Sequence, residues 1–205
     1  MQAPLRYLAL GDSFTLGVGA SDAHHNFPTA LARKLAAATG HLVRLSNAAV
    51  DGFTTDDLIR DKLDQLDSVV PDYVTILIGG NDVWRGRTRS EYQGSLAWIY
   101  DTIAARGLPP QRVAAVSIPD WSAAPGAARY GHADQLRLVI DGYNALASNE
   151  AASRGFVWVD IAELSRSRVG DAGWLAPDQL HPADAQYAAW AEHIWHGVRE
   201  AWSAP

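Results

Sequence analysis

The 205-residue chain has no cysteine, and that absence excludes disulfides, thiolate nucleophiles and thiolate metal sites together while leaving the compartment open. It also lacks a long apolar run. Met1 to Leu10 carries one arginine and a few apolar residues before the turn-like Gly11, too short for a signal-peptide core or a membrane span. A cytoplasmic location without membrane insertion is the expectation, provided no leader was removed. Basic residues are few: 17 Lys and Arg stand against 23 Asp and Glu, for a net charge of −6. Such a field repels phosphate backbones, and no local cluster of Lys and Arg offsets it. Arg85, Arg87 and Arg89 read as a solvated loop run, so nucleic acid is excluded as the expected partner. What is present is a globular balance, 48% apolar and 20% charged, sufficient for the chain to fold around its own core.

Short β-branched and apolar runs alternate with longer segments of helical period, which predicts crossover units and a parallel sheet. The strand candidates are Arg6 to Leu10, Leu42 to Ser46, Tyr73 to Ile78, Arg112 to Ser117 and Val157 to Asp160, each stopped by Gly, Pro, Asn or Asp. Helices are predicted over Pro28 to Thr39, Thr54 to Leu66, Ser90 to Arg106, His132 to Arg154 and Pro182 to Trp202. Gly40 would stop the first, and Thr54 or Thr55 would cap the second. Right-handed crossovers then give a three-layer αβα sandwich on a five-stranded, doubly wound, flavodoxin-like sheet. With no repeat or long linker, residues 1–205 are read as one domain. One segment, Pro119 to Gly131, is rich in Ala, Gly and Pro and reads as a loose loop on the ligand-facing side.

Three short motifs fall at predicted C-terminal strand ends or in the loops facing them. Gly11-Asp12-Ser13 follows the first strand, where open sheets of this kind bind ligands. Its serine is a nucleophile or simply part of a polar turn in which Asp12 and Ser13 bond nearby backbone. A phosphate loop does not fit, because Gly11, Gly17 and Gly19 are followed by no Lys-Ser/Thr pair and position 22 is Asp. Gly79-Gly80-Asn81-Asp82 closes the third strand and offers either a carboxamide aimed at developing negative charge or an ordinary turn. Asp178-Gln179-Leu180-His181-Pro182 precedes the last helix, with Pro182 as its first residue. A carboxylate three residues before an imidazole can reach Nδ1 and leave Nε2 as a base. Alternatively the pair is solvated, or binds a metal with His24 and His25, a set without matching ligand spacing.

Taken together, Gly-Asp-Ser near the start, Gly-x-Asn-Asp in the middle and Asp-x-x-His near the end resemble the SGNH hydrolases, the GDSL lipase and esterase family. The resemblance runs from Gly11 to His181. It implies a fourth element after the second strand, and Asn47-Ala-Ala-Val-Asp51-Gly52 supplies it. Phe14 stands where the name-giving Leu is often found, a departure expected to affect packing more than chemistry.

What the resemblance implies is a serine esterase working through an acyl-enzyme. Ser13 would be the nucleophile and His181 and Asp178 its triad partners, with the Ser13 and Gly52 N–H groups and the Asn81 carboxamide as oxyanion hole. No cofactor or metal is implied. Asp12 and Asp82 are expected to tie loops. Trp84, Trp121 and Trp174, in loops near the site, are expected to wall the substrate, and Trp98, Trp190, Trp195 and Trp202 to pack helix faces. The substrate is expected to be a small-molecule ester, short-acyl in preference, such as an acetyl or lipid-derived ester. The other classes that fit are a flavodoxin-like binding module and a metal-dependent hydrolase.

Overall fold

Three of the predicted strands have continuous apolar cores, Tyr-Leu-Ala-Leu, Tyr-Val-Thr-Ile-Leu and Val-Ala-Ala-Val, a pattern suited to strands covered on both faces. In the computed structural model, which describes residues 3–203, these runs are β1 (Leu5–Gly11), β3 (Tyr73–Leu77) and β4 (Val113–Val116). Two less buried strands flank them, β2 (Val43–Asn47) and β5 (Val157–Val159). All pairings are parallel, in the order β2-β1-β3-β4-β5. The sheet is the expected flavodoxin-like one. Register places Tyr7 beside Tyr73 and Ala9 beside Thr75. The buried Thr75 hydroxyl is satisfied by the Tyr7 phenol at 2.8 Å.

Helices α2 (Phe27–Thr39) and α9 (Asp184–Trp202) pack side by side on one face, and α3 (Thr55–Asp61), α6 (Arg89–Ala104) and α7 (Ala133–Ser153) share the other. Trp202 of α9 lies against Tyr7 and Tyr73, with ring centroids at 5.7 and 5.0 Å. On the opposite face Tyr92 of α6 stacks on Tyr143 of α7 at 4.2 Å. Helix ends follow local chemistry. Asn26 caps α2 by accepting from the Thr29 N–H, with Pro28 in the first turn, and Gly40 ends it at positive φ. Thr54 and Asp57 form a capping box on α3.

Several expectations are corrected. The helix predicted over 54–66 is two, α3 and α4 (Gln65–Val69). Leu58 and Leu63 are five apart, a step no helix face accommodates, and the break at Lys62 is what returns Leu63 and Leu66 to the core. Pro182 is not the first helical residue. It pairs with Leu175 in an antiparallel bridge whose bonds, Ala176 N–H to His181 C=O and Ala183 N–H to Trp174 C=O, need nothing from its missing N–H. Trp190 and Trp202 pack helix faces, and Trp195 does so in part, but Trp98 is 62% exposed.

The strand order reverses beside β1: the chain leaves it for β2 on one side and returns to β3 on the other. Their helices diverge to opposite faces, so a crevice opens beyond the C-terminal ends of β1 and β3.

Candidate active site

At the end of β1 the buried Asp12 caps α1 (Ser13–Leu16), its Oδ1 accepting from the Phe14 N–H at 3.1 Å. Ser13 thereby becomes the first residue of a short helix at the mouth of the crevice. Burial pushes the Asp12 carboxyl up to about 8, over the opposing Phe14 N–H bond and with help from the Asp82 charge. Its Oδ2 has no partner among the described residues.

At the end of β3, Gly79 has φ +126°, and a Cβ there would lie 2.7 Å from Tyr92 and 2.8 Å from Ile118. Both space and backbone require glycine at this turn into α5 (Gly80–Trp84). Asp82 is fully buried and accepts from the Thr55 N–H at 3.0 Å and the Thr55 hydroxyl at 2.7 Å. Burial raises its carboxyl against those two bonds and the Arg87 charge. It fixes α5 to the start of α3, as Asp12 fixes α1, so both acids tie loops. Of the arginine run, Arg85 and Arg89 are exposed as expected and Arg87 is part-buried. Arg87 reaches Asp56 and lies 3.6 Å from Asp82, and Arg85 donates to the Gly52 carbonyl at 3.0 Å.

Gly52 occupies the third position of a turn closed by the Phe53 N–H and the Val50 carbonyl at 3.3 Å. Its φ is +79°, and a Cβ would meet nothing within 4 Å, so the backbone angle alone demands glycine. The Val50 N–H bonds the Gly11 carbonyl at 3.2 Å, drawing this turn against the end of β1.

The Asp178 to His181 turn closes the crevice from above. Asp178 Oδ1 accepts from the N–H groups of Leu180 and His181, both at 3.0 Å, and Oδ2 lies 2.6 Å from His181 Nδ1. Partial burial would push the Asp178 carboxyl up, but the bonds from His181 and the two backbone N–H groups hold it below its ordinary value. The carboxylate can only accept, so Nδ1 carries a proton and Nε2, 3.1 Å from Ser13 Oγ, presents its lone pair. The three predicted residues therefore stand in one hydrogen-bonded line. Phe14 packs against the His181 ring at 5.6 Å and against Trp190 at 6.0 Å, a packing role as expected.

Ser13, Gly52, Asn81 and His181 surround one cleft of about 210 Å³. The Ser13 and Gly52 N–H groups donate to no acceptor among the described residues. Trp84 and Trp121 line the cleft, but Trp174 does not. It is 1% exposed, its indole N–H donates to the Ser165 carbonyl at 3.1 Å, and Arg168 lies over its ring. Tyr130 takes the place foreseen for it, touching Trp84 at 5.7 Å and Trp121 at 5.8 Å. An aromatic ending a small-residue loop was the available signal.

That loop is not loose. Asp120, fully buried, accepts from the Ser122 N–H and hydroxyl and from Arg166 at 2.6 Å, and Pro125 to Arg129 forms a 3-10 turn. The Gly126 N–H donates to the Gln179 carbonyl at 2.9 Å, bracing the Asp178 to His181 turn from outside. A Cβ on Gly126 would lie 2.9 Å from the carbonyl oxygens of both Asp178 and Gln179. His25, weighed above as a metal ligand, bonds Ser21 and Asp22 instead of Asp178 or His181. No group of three or more His, Asp or Glu side chains that could hold a metal ion occurs among the described residues. No helix among them is long and apolar enough to cross a membrane.

Comparison with known proteins bears on the same span. The pattern of the GDSL-like Lipase/Acylhydrolase family matches residues 9–189. A lipase of Streptomyces rimosus is 27% identical over 187 residues, covering 76% of this chain and 69% of that protein. In fold the chain is similar to an alpha/beta hydrolase enzyme from the metagenome of Lake Arreo, Spain, at a TM-score of 0.76, 23% identity and 97% of each chain. An acetylxylan esterase from Geobacillus stearothermophilus gives a TM-score of 0.73 at 21% identity over 98% of each chain. The family match favours an ester hydrolase over a flavodoxin-like binding module or a metal-dependent hydrolase.

Proposed function

The chain belongs to the GDSL-like lipase/acylhydrolase family and is a carboxylic ester hydrolase, and on that premise we propose that Ser13, His181 and Asp178 form its catalytic triad. The hydrogen-bonded line from Asp178 through His181 to Ser13, 2.6 and 3.1 Å, is the observation that carries this reading. Ser13 Oγ attacks the ester carbonyl carbon as His181 Nε2 takes the hydroxyl proton, and Asp178 stabilises the imidazolium. The carbonyl oxygen becomes an oxyanion and accepts from the Ser13 and Gly52 N–H groups and from Asn81 Nδ2. Collapse breaks the ester bond, the leaving alkoxide takes the proton from Nε2, and the acyl group stays on Ser13. Water, deprotonated by His181, then releases the carboxylic acid and restores the serine.

A cleft of about 210 Å³ walled by Trp84, Trp121 and Tyr130 supports a short acyl group, acetyl or a small lipid-derived one. It is smaller than the ~300–1,000 Å³ typical of sites for drug-sized ligands. One apolar core running from Tyr7 to Trp202 supports a single domain. A fluorophosphonate should label the wild type and leave Ser13→Ala unlabelled; labelling that survives in Ser13→Ala refutes the nucleophile. Nitrophenyl acetate should be hydrolysed with higher kcat/KM than the decanoate, and the reverse order refutes the short-acyl reading.

A further inference from the structure

A carboxamide stabilises an oxyanion only through its NH2 end, yet its two ends are nearly the same size and shape, so something must decide which one faces the reaction. At Asn81 two groups do so. The Trp84 indole N–H donates to Oδ1 at 2.8 Å, and Nδ2 donates to the Phe53 carbonyl at 2.9 Å. An indole N–H can only donate and a backbone carbonyl can only accept. A flipped carboxamide would set N–H against N–H and C=O against C=O, so both partners select the same orientation. With one Nδ2 hydrogen on Phe53, the second is left for the cleft that Asn81 shares with Ser13.

Trp84 can act this way because α5 places it three residues after Asn81, one turn along the same helix. Its ring is held in turn: the Arg85 guanidinium lies 5.6 Å from its centroid while donating to the Gly52 carbonyl, and Tyr130 packs against it.

We propose that Trp84 is a positioning residue of the oxyanion hole, acting through its indole N–H on Asn81 in addition to lining the cleft. The proposal rests on the reading of Asn81 as an oxyanion donor. Trp84→Phe keeps an aromatic wall and removes the N–H, at a site 48% exposed where the change is not expected to threaten the fold. Its Tm should stay within about 2 °C of wild type, a shift of less than about 1 kcal/mol. With nitrophenyl acetate, kcat should fall roughly 10-fold with KM within about 2-fold, a fraction of the roughly 10²- to 10³-fold loss expected when the donor itself is removed in Asn81→Ala. In the Asn81→Ala background, Trp84→Phe should cost nothing further, since the group it orients is gone.

An unchanged kcat in Trp84→Phe overturns the proposal while leaving Asn81 in place, provided Asn81→Ala is slow. A loss that recurs undiminished in the Asn81→Ala background also overturns it, because Trp84 would then act on the substrate directly. A loss confined to KM does the same. If Asn81→Ala itself stays within about 3-fold of wild type, far short of the loss of a donor, the oxyanion reading fails and takes the proposal with it.

Discussion

The two ends of the sheet treat their polar groups in opposite ways. Beyond the N-terminal ends of the strands lies a cavity of about 290 Å³, larger than the cleft at Ser13, edged by Arg106, Arg112, Asp67 and Asp72. Its charges are mostly matched: Arg106 meets Asp67 at 2.8 Å and Arg6 meets Asp72 at 3.0 Å. At the C-terminal end Ser13, Gly52 and Asn81 line one cleft, and the Ser13 and Gly52 N–H groups and one Asn81 hydrogen have no acceptor among the described residues. Volume therefore does not distinguish the two cavities, whereas donors without acceptors do. Unpaired polar groups are costly wherever water is excluded, so their concentration at one end of the sheet calls for a functional reason.

The sharpest way to break this contrast is to mutate both ends. Ser13→Ala should lower kcat on nitrophenyl acetate by at least about 10⁴-fold, the scale of losing a nucleophile, while Arg106→Ala should leave it unchanged; a slow Arg106→Ala would erase the distinction. Asn81→Ala should follow at roughly 10²- to 10³-fold, and near-wild-type turnover would remove the carboxamide from the set.

Asp12 sharpens the contrast through stability. A carboxyl raised to about 8 in the fold holds its proton between the unfolded value near 4 and pH 8, while the unfolded chain releases it. The native state binds more protons across that window, so this group's contribution is full at acid pH and fades as pH rises. The Tm of Asp12→Asn relative to wild type should accordingly improve by several degrees from pH 5 to pH 8, and a difference independent of pH would refute an up-shifted carboxyl.

The smallest effect belongs to the other end. Val70 ends α4 at φ +48°, unfavourable for a β-branched residue. Val70→Gly relieves roughly 1–2 kcal/mol of left-handed strain against roughly 0.5–1 kcal/mol of added chain entropy. Calorimetry should find Tm raised by about 2 °C and assays an unchanged kcat. A lower Tm would show that the half-exposed Val70 side chain contributes more than its backbone costs.

How much of this was legible beforehand follows from how local each constraint is. β1, β3 and β4 could be read because strands covered on both faces must be apolar throughout. Gly52 and Gly79 mark turns whose backbone angles few other residues adopt, so their motifs stand out in the chain. Asp178 and His181 lie in one tight turn, and their pairing needs no knowledge of the fold. Trp174 is not legible, because a tryptophan in a loop looks the same in sequence whether the loop faces the cleft or folds inward. Its indole donates to the Ser165 carbonyl and its ring faces Arg168, contacts that no neighbouring residue in the sequence announces. Neither Gly nor Pro marks the break between α3 and α4; the five-residue step from Leu58 to Leu63 is its one signal in the sequence. The order of the Pro119 to Gly131 segment depends on Arg166, more than 40 residues from Asp120.

The same segment has a consequence for anyone wishing to change the substrate range. Trp121 and Tyr130 shape the pocket, and between them Gly126 presses its backbone against the turn that carries Asp178 and His181. On the proposed mechanism, selectivity and proton transfer share one mechanical part. A redesign that widens the pocket by rebuilding this loop must carry a glycine at position 126 along with it, or the imidazole moves whenever the wall does.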